Sequence, residues 1–181
     1  SSSAMNVVIK IITEAVKFNV LQQNMFLTLY VLAAAMFLVP SGKLSDIKGR
    51  KKFFSWGVAI FSIFSIIIGS LLNRTLLLLC RFLQGVGISL YFSTSLALLS
   101  SAFPPRNRGL VFGVNVTSVY TGLSLGPFLG SVIAKYWSWR AIFYISGILG
   151  IVVIFLIQAF VKQEWRAEQP TKIDYLGILL Y

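Results

Sequence analysis

Two charged side chains, Asp46 and Arg50, have types and positions that could form an ion pair near a reversal of the chain. They belong to the segment 41–53, SGKLSDIKGRKKF, which carries five cations, two glycines and a single acid. The carboxylate could pair with the nearby arginine or face the positive end of a neighbouring helix. The glycines, Gly42 and Gly49, would permit close approach and unusual backbone angles where two helices reverse direction.

A second candidate is Arg81, which lies inside an apolar run and is followed one helical turn later by Gln84. A charge within a membrane span costs at least about 2.5 kcal/mol on insertion scales, so it is usually functional or paired. One interpretation places Arg81 at a central cavity, with Gln84 extending the polar surface on the same side. The other interpretation leaves Arg81 facing lipid, with its long side chain reaching toward the membrane surface.

Composition excludes several other chemistries. The sequence has no histidine and one cysteine, Cys80, so a Cys/His metal site, a histidine-based catalytic triad and an intrachain disulfide are excluded. Of its five acids, only Asp46 lies between residues 15 and 163, which leaves no paired carboxylates for acid–base chemistry within a helical bundle. We therefore expect no catalytic residues, no bound metal and no enzymatic activity.

The elements that position these residues are predicted to be membrane spans. The chain is 57% hydrophobic and has a mean hydropathy of +0.83. Its apolar runs approach or exceed the roughly 20 residues that a helix needs to cross a bilayer. Complete spans are predicted at about residues 26–41, 53–72, 76–102, 110–136 and 141–161, with a partial span ending near Ile12 and another beginning at Ile173. The sequence therefore predicts an all-α, polytopic integral membrane protein that is a fragment of a longer chain.

The net charge of +11 does not indicate nucleic-acid binding, because the cations are dispersed among loops and form no basic face alongside aromatics. The positive-inside rule accounts for them better. If the 41–53 segment is cytoplasmic, ten lysines and arginines lie on that side and five on the other, with Arg81 left within a span. We therefore predict a multi-pass protein of the cell membrane with this segment on the cytoplasmic side.

Three motifs, taken in order, resemble those of the major facilitator superfamily, and more narrowly its 14-span drug/proton antiporters. Residues 42–51, GKLSDIKGRK, resemble the superfamily's Gly-x-Leu-x-Asp-x-x-Gly-Arg-Lys loop between spans two and three. Residues 81–87, RFLQGVG, are similar to its fourth-span motif, and residues 122–130, GLSLGPFLG, to its fifth-span antiporter motif. Residues 6–8 resemble the end of the superfamily's first span, and residues 138–140 and 174–177 look like parts of the 14-span branch.

The resemblance implies a major facilitator six-helix half-bundle plus the start of a seventh span. It divides the chain into a transmembrane bundle at residues 1–162, a cytoplasmic linker at 163–172 and a truncated span seven at 173–181. The implied partners are a lipophilic or cationic small molecule, membrane lipid and the carboxy-terminal half of the same transporter. No cofactor is expected, and a proton gradient is the expected driving force.

The resemblance also implies roles for the motif residues. A latch that holds the two halves together on the cytoplasmic side would consist of Gly42, Asp46, Gly49 and Arg50. Arg81 would face the cavity and assist proton coupling together with Gln84, whereas Gly85 and Gly87 would serve helix packing. A kinked, tightly packed helix interface that supports antiport, or a simple helix association, would consist of Gly122, Gly126, Pro127 and Gly130. Aromatic candidates for the cavity wall, or for packing alone, are Phe26, Tyr30, Phe37, Tyr91, Phe92, Phe112 and Tyr120.

The sequence departs from the antiporter pattern at Ser1, where many members of this branch have an acid. Glu14 could serve in its place, but its position at a helix end favours an exposed side chain instead. The leading hypothesis is proton-coupled drug or multidrug efflux by alternating access. The alternatives are an uncoupled or differently coupled metabolite facilitator, and a half-length membrane partner or scaffold that transports nothing.

Overall fold

The computed structural model describes residue 9 and residues 11–161 of the chain. Five long helices follow one another there: α1 (Val20–Lys48), α2 (Arg50–Ser70), α3 (Arg74–Ala102), α4 (Arg108–Tyr136) and α5 (Trp139–Phe160). Residues 11–16 are also helical, and a short 3-10 turn, Pro105–Asn107, leads into α4. Each of the five is long and apolar enough to cross a membrane. The all-α membrane architecture predicted from hydropathy is therefore confirmed.

Several of the predictions lie outside the described residues. These are the departure at Ser1, the motif at residues 6–8, the linker at 163–172 and the start of span seven at 173–181. The division into a bundle, a linker and a truncated span therefore stays a prediction.

The first complete span was predicted too short. Residues 26–41 form only the middle of α1, which begins at Val20, continues through Pro40 and ends at Lys48. Hydropathy falls after residue 41 because glycine, lysine and aspartate follow, yet the backbone stays helical for two more turns. Hydropathy thus indicates where the chain meets water, whereas the end of the helix depends on backbone geometry.

Helix α3 is the centre of the described bundle. It packs along both α1 and α2, and α2 packs in turn against α5. Helix α4 is different, because Ala134 is the one buried residue along its length. The described helices therefore form a tight group of four, with α4 more loosely attached at one side.

Glycines bring α2 and α3 into backbone contact. A β-carbon on Gly87 would lie 2.7 Å from the backbone nitrogen of Phe61 and 3.0 Å from the carbonyl oxygen of Gly57. A β-carbon on Gly57 would lie 2.5 Å from the backbone nitrogen of Tyr91. On the opposite side of α3, a β-carbon on Gly85 would lie 2.8 Å from Cβ of Ala33 in α1. The packing role predicted for Gly85 and Gly87 agrees with this geometry, which is the close approach that small residues permit between membrane helices.

Most of the cations in the described connections lie at one end of the bundle. The guanidinium of Arg50, at the start of α2, contacts Ser101 near the end of α3, so the α1–α2 junction lies beside the α3–α4 connection. At the opposite end, Nε of Arg74 donates to the carbonyl oxygen of Val16 at 3.0 Å. The cations of the 41–53 segment thus lie near Arg106 and Arg108 along one end, as the alternate-loop assignment requires.

We predict that replacing Gly87 by valine disrupts the contact between α2 and α3. The branched side chain has no space at this site, and overpacking of this kind typically costs roughly 1–3 kcal/mol. Gly113→Val is the matched control, because Gly113 lies in α4 with nothing within 4 Å of its β-carbon position. Thermal unfolding of the purified protein in detergent should show a clearly lower midpoint for Gly87→Val alone, and equal midpoints would contradict the contact.

Candidate functional site

The predicted loop between the second and third spans is a single-residue junction. Helix α1 ends at Lys48, α2 begins at Arg50, and only Gly49 separates them, with φ 120° and ψ 126°. Its N–H donates to the carbonyl oxygen of Ser45 at 2.9 Å, and its own carbonyl accepts from the N–H of Phe53 at 3.2 Å. A side chain is strongly disfavoured at such angles, so glycine alone lets one helix follow the other without a loop.

Gly42 does not share this geometry. It lies inside α1, and Gly49 is the one glycine with positive φ in the described part of the chain. A β-carbon on Gly42 would lie 3.8 Å from Cβ of Ser93, which is an ordinary van der Waals contact. The expectation of an unusual backbone angle is therefore wrong for Gly42, because the helix continues past it. Its role in a latch stays a prediction.

Asp46 and Arg50 form an ion pair across the junction. Nη2 of Arg50 lies 2.8 Å from Oδ1 of Asp46, and Nε donates to the same oxygen at 2.9 Å. The guanidinium also reaches α3, where Nη1 donates to Oγ of Ser101 at 2.5 Å and to the carbonyl oxygen of Ala97 at 3.3 Å. A cation near the carboxyl end of a helix complements the helix dipole. Arg50 therefore connects the ends of α1, α2 and α3.

The ion pair is exposed unequally. The side chain of Arg50 is 19% exposed, whereas that of Asp46 is 43% exposed. Arg50 is held among three helices, while the carboxylate keeps a solvent-facing side that a further group could contact. The structure thus brings two of the four predicted latch residues into direct contact, and Gly49 supplies the turn between them.

A cavity of about 610 Å³ lies on the side of α3 that carries Arg81. Its wall is mostly apolar, and Arg81 is the one charged residue among the described residues that line it. Helices α1, α3, α4 and α5 all contribute, together with part of α2 and the segment before α1. Its lining includes Phe26, Tyr30, Arg81, Gln84, Gly126 and Phe143.

Arg81 is surrounded by aromatic rings at the cavity. Its Cζ lies 4.4 Å from the ring centroid of Phe26, 5.1 Å from that of Phe143 and 5.3 Å from that of Tyr30. Cations at such distances are attracted by the electron-rich ring faces, more strongly where water is excluded. The structure therefore places Arg81 at the cavity, as one of the two sequence interpretations expected, and not toward lipid. We call Arg81 with these three rings the Arg81 cage.

Gln84 fixes the orientation of Arg81. Its Oε1 accepts from Nη1 of Arg81 at 2.8 Å, and its Nε2 donates to Oγ of Ser65 at 2.6 Å. Ser65 completes the chain by donating to the carbonyl oxygen of Phe61 at 2.7 Å. Gln84 and Ser65 are both buried, so this hydrogen-bonded chain crosses from α3 to α2 out of contact with water.

The three glycines of the fifth-span motif form a stripe along α4 that faces the cavity and does not pack against another described helix. Gly122, Gly126, Pro127 and Gly130 all line the cavity, and a β-carbon on any of the three glycines would meet nothing within 4 Å. The predicted close interface is therefore not formed within the described part of the chain, because α4 stands apart from the tight group of helices. A tight interface with residues beyond that part stays a prediction.

Some of these residues could be predicted from the sequence, and others could not. Phe26 and Tyr30 were among the predicted cavity aromatics, whereas Tyr91 packs against Phe61 with ring centroids 6.0 Å apart. Phe143 was missed, because nothing distinguishes it from other aromatics of an apolar span. Ser65 was missed as well, since a serine in a span usually bonds to its own helix and its second partner depends on tertiary packing.

We predict that Gly49→Ala destabilises the junction between α1 and α2. A non-glycine residue held at such backbone angles costs of order 1–3 kcal/mol. Gly42→Ala is the internal control, since alanine in a helix interior is favoured over glycine by roughly 0.5–1 kcal/mol and has room here. Thermal midpoints of the purified variants should therefore move in opposite directions. A loss of equal size in both would argue against the junction geometry.

Comparison with known proteins gives a consistent picture. The family model described as Major Facilitator Superfamily matches residues 1–174. Multidrug resistance protein Stp of Mycobacterium tuberculosis is 33% identical over 84% of this chain and 28% of its own length. Riboflavin transporter RibZ of Clostridioides difficile is 31% identical over 99% of this chain and 39% of its own length. Multidrug resistance protein 3 of Bacillus subtilis is 33% identical over 83% of this chain and 29% of its own length. The chain thus spans well under half the length of these relatives.

Proposed function

The chain belongs to the major facilitator superfamily, and we propose that it is the amino-terminal half of a secondary transporter that moves small molecules by alternating access. It is a multi-pass integral membrane protein, in keeping with the five membrane-length helices in its described part. Its superfamily is one of transporters rather than enzymes. The cell membrane is the proposed location, and the carboxy-terminal half of the same transporter is the proposed partner.

The cavity is the observation that carries this proposal. Its volume of about 610 Å³ is in the range of small-molecule sites, which are mostly apolar with a few placed polar groups. Transporters of this kind bind substrate near the middle of the bilayer between two repeated halves. A one-sided cavity, walled by α1, α3, α4 and α5, is what one half of such a site would provide.

The junction at Gly49 is proposed to act as the cytoplasmic latch. Arg50 connects three helix ends, and the exposed side of Asp46 is available to a helix of the other half. When the halves separate on the cytoplasmic side, the contact made by Asp46 would break while the Arg50 contacts within this half remain. The latch would then open without unfolding the junction.

Drug efflux driven by a proton gradient is the finer form of the proposal. Two of the relatives are named as multidrug resistance proteins, and the apolar cavity wall suits lipophilic substrates. Arg81 and Gln84 would then take part in coupling the movement of substrate to the movement of protons. A cationic substrate would need an acid from outside the described residues, because the one charge that the described residues contribute to the cavity is positive.

A metabolite facilitator is the second candidate. No carboxylate lines the cavity within the described residues, so this part of the chain supplies no proton-binding acid there. A relative named as a riboflavin transporter also shows that similarity at this level is not confined to drug resistance proteins. Transport without proton coupling would fit both observations.

We predict that the full-length protein moves a lipophilic fluorescent dye across proteoliposome membranes when a pH gradient is imposed. Movement that stops on addition of a protonophore is the expected result for antiport, because the driving force is then removed. Movement that persists would favour the facilitator over proton-coupled efflux. Absence of movement for a broad range of dyes and metabolites would contradict transport altogether.

We also predict that Gly126→Leu blocks transport without destabilising the protein. The leucine side chain would project into the cavity, where nothing lies within 4 Å of the β-carbon position. Gly113→Leu is the matched control, since it adds the same volume to α4 outside the cavity lining. Transport assays and thermal unfolding should be run together. A large loss of stability in Gly126→Leu would instead indicate that the stripe packs against another helix.

A further inference from the structure

Arg81 carries a charge that nothing in the described part of the chain neutralises. Two acids are described there, Glu14 and Asp46. Asp46 is paired with Arg50 at the far end of the bundle, and Glu14 is an exposed side chain in the segment before α1. An unpaired charge away from water is costly, so such groups normally pair with an opposite charge. Among the residues that the structure describes, the cavity therefore holds a cation without a counter-ion.

The guanidinium is also short of hydrogen-bond acceptors. Nη1 donates to Gln84, whereas the buried Nε–H has no partner among the described residues. Arginine presents five N–H donors in a planar fork that matches the two oxygens of a carboxylate or the oxygens of a phosphate. Because buried polar groups are usually satisfied, the unfilled donors indicate that an acceptor comes from elsewhere.

The rings around Arg81 add a shape requirement. Phe26, Tyr30 and Phe143 come from α1 and α5 and all line the cavity beside the guanidinium. Phe26 and Phe143 meet edge to face, with ring centroids 6.4 Å apart, and both are buried, so Tyr30 is the ring of the Arg81 cage that keeps exposed surface. Aromatic ligands are stabilised by such offset and edge-to-face contacts. A flat ring with an acidic substituent would contact both parts of the site.

We propose that the Arg81 cage binds planar aromatic acids, with the anionic group of the substrate on the guanidinium and its ring system against Tyr30 and the apolar wall of the cavity. This inference rests on the proposed transport function and specifies its substrate class. Gln84, held by Ser65, keeps Nη1 in place, so the arginine is oriented before the substrate arrives. The rival occupant is a carboxylate of the protein itself, from outside the described residues.

The test compares two dyes that share a three-ring xanthene scaffold and differ in charge. Fluorescein is anionic and has a free carboxylate, whereas rhodamine 123 is cationic and has its carboxylate esterified. Binding of each dye to the full-length protein in lipid nanodiscs is measured by fluorescence anisotropy. We expect fluorescein to bind at least about tenfold more tightly, because charge-assisted bonds to an arginine fork are among the stronger polar contacts.

Variants at Arg81 then test whether this residue causes the preference for the anionic dye. Arg81→Gln should weaken fluorescein binding by roughly tenfold or more while leaving rhodamine 123 unchanged or bound more tightly. Arg81→Lys keeps the charge but loses the planar fork, so it should retain part of the preference. Arg140→Gln is the control for loss of one positive charge, because Arg140 lies over the Trp139 ring and outside the cavity lining. It should bind both dyes like the unaltered protein.

The outcomes separate this inference from the transport proposal. Rhodamine 123 binding as tightly as fluorescein, or unchanged fluorescein binding in Arg81→Gln, would overturn the aromatic-acid site while leaving transport intact. Failure of both dyes to bind would overturn the site as well, and the vesicle assay would then decide on transport by itself. If Arg81→Gln does not fold, the unaltered protein still tests the proposal. Fluorescein should then raise its thermal midpoint more than rhodamine 123 does.

Discussion

The close approach of α2 and α3 at Gly57 and Gly87 is the contact on which the rest of the described structure depends. With the two backbones touching, Ser65 in α2 comes within hydrogen-bond distance of Gln84 in α3. Gln84 in turn holds Arg81, and Arg81 gives the cavity its charge. Larger residues at the two glycines would separate the helices and break this sequence of contacts at its first step.

Helix α3 connects the two candidate sites. Arg81 lies near its beginning, and Ala97 and Ser101, which accept hydrogen bonds from Arg50, lie near its end. At a rise of 1.5 Å per residue, residues 81 and 101 lie about 30 Å apart along the helix axis, which is close to the thickness of the hydrocarbon layer. One rigid element therefore holds both the charge in the cavity and the anchor of the junction.

Much of this arrangement could be predicted from the sequence, because it depends on local patterns. Span positions follow from hydropathy, and the bond between Arg81 and Gln84 follows from their spacing on one helix. The extension of α1 to Lys48 could not be predicted, because hydropathy reports contact with water rather than helix ends. Ser65, Gly57 and Phe143 were missed for another reason. Their roles come from tertiary contacts, and their residue types are common in membrane helices.

The single-residue junction at Gly49 also bears on how the protein is made. One residue extends the chain by no more than about 3.6 Å, so the facing ends of α1 and α2 must lie close together at the membrane surface. They would insert together as a helical hairpin whose tip carries Lys48, Lys51 and Lys52. Positive charges of this kind resist translocation, so we expect the tip to stay on the side of synthesis. The glycine that shapes the junction would thereby also help to determine the orientation of the helices that follow.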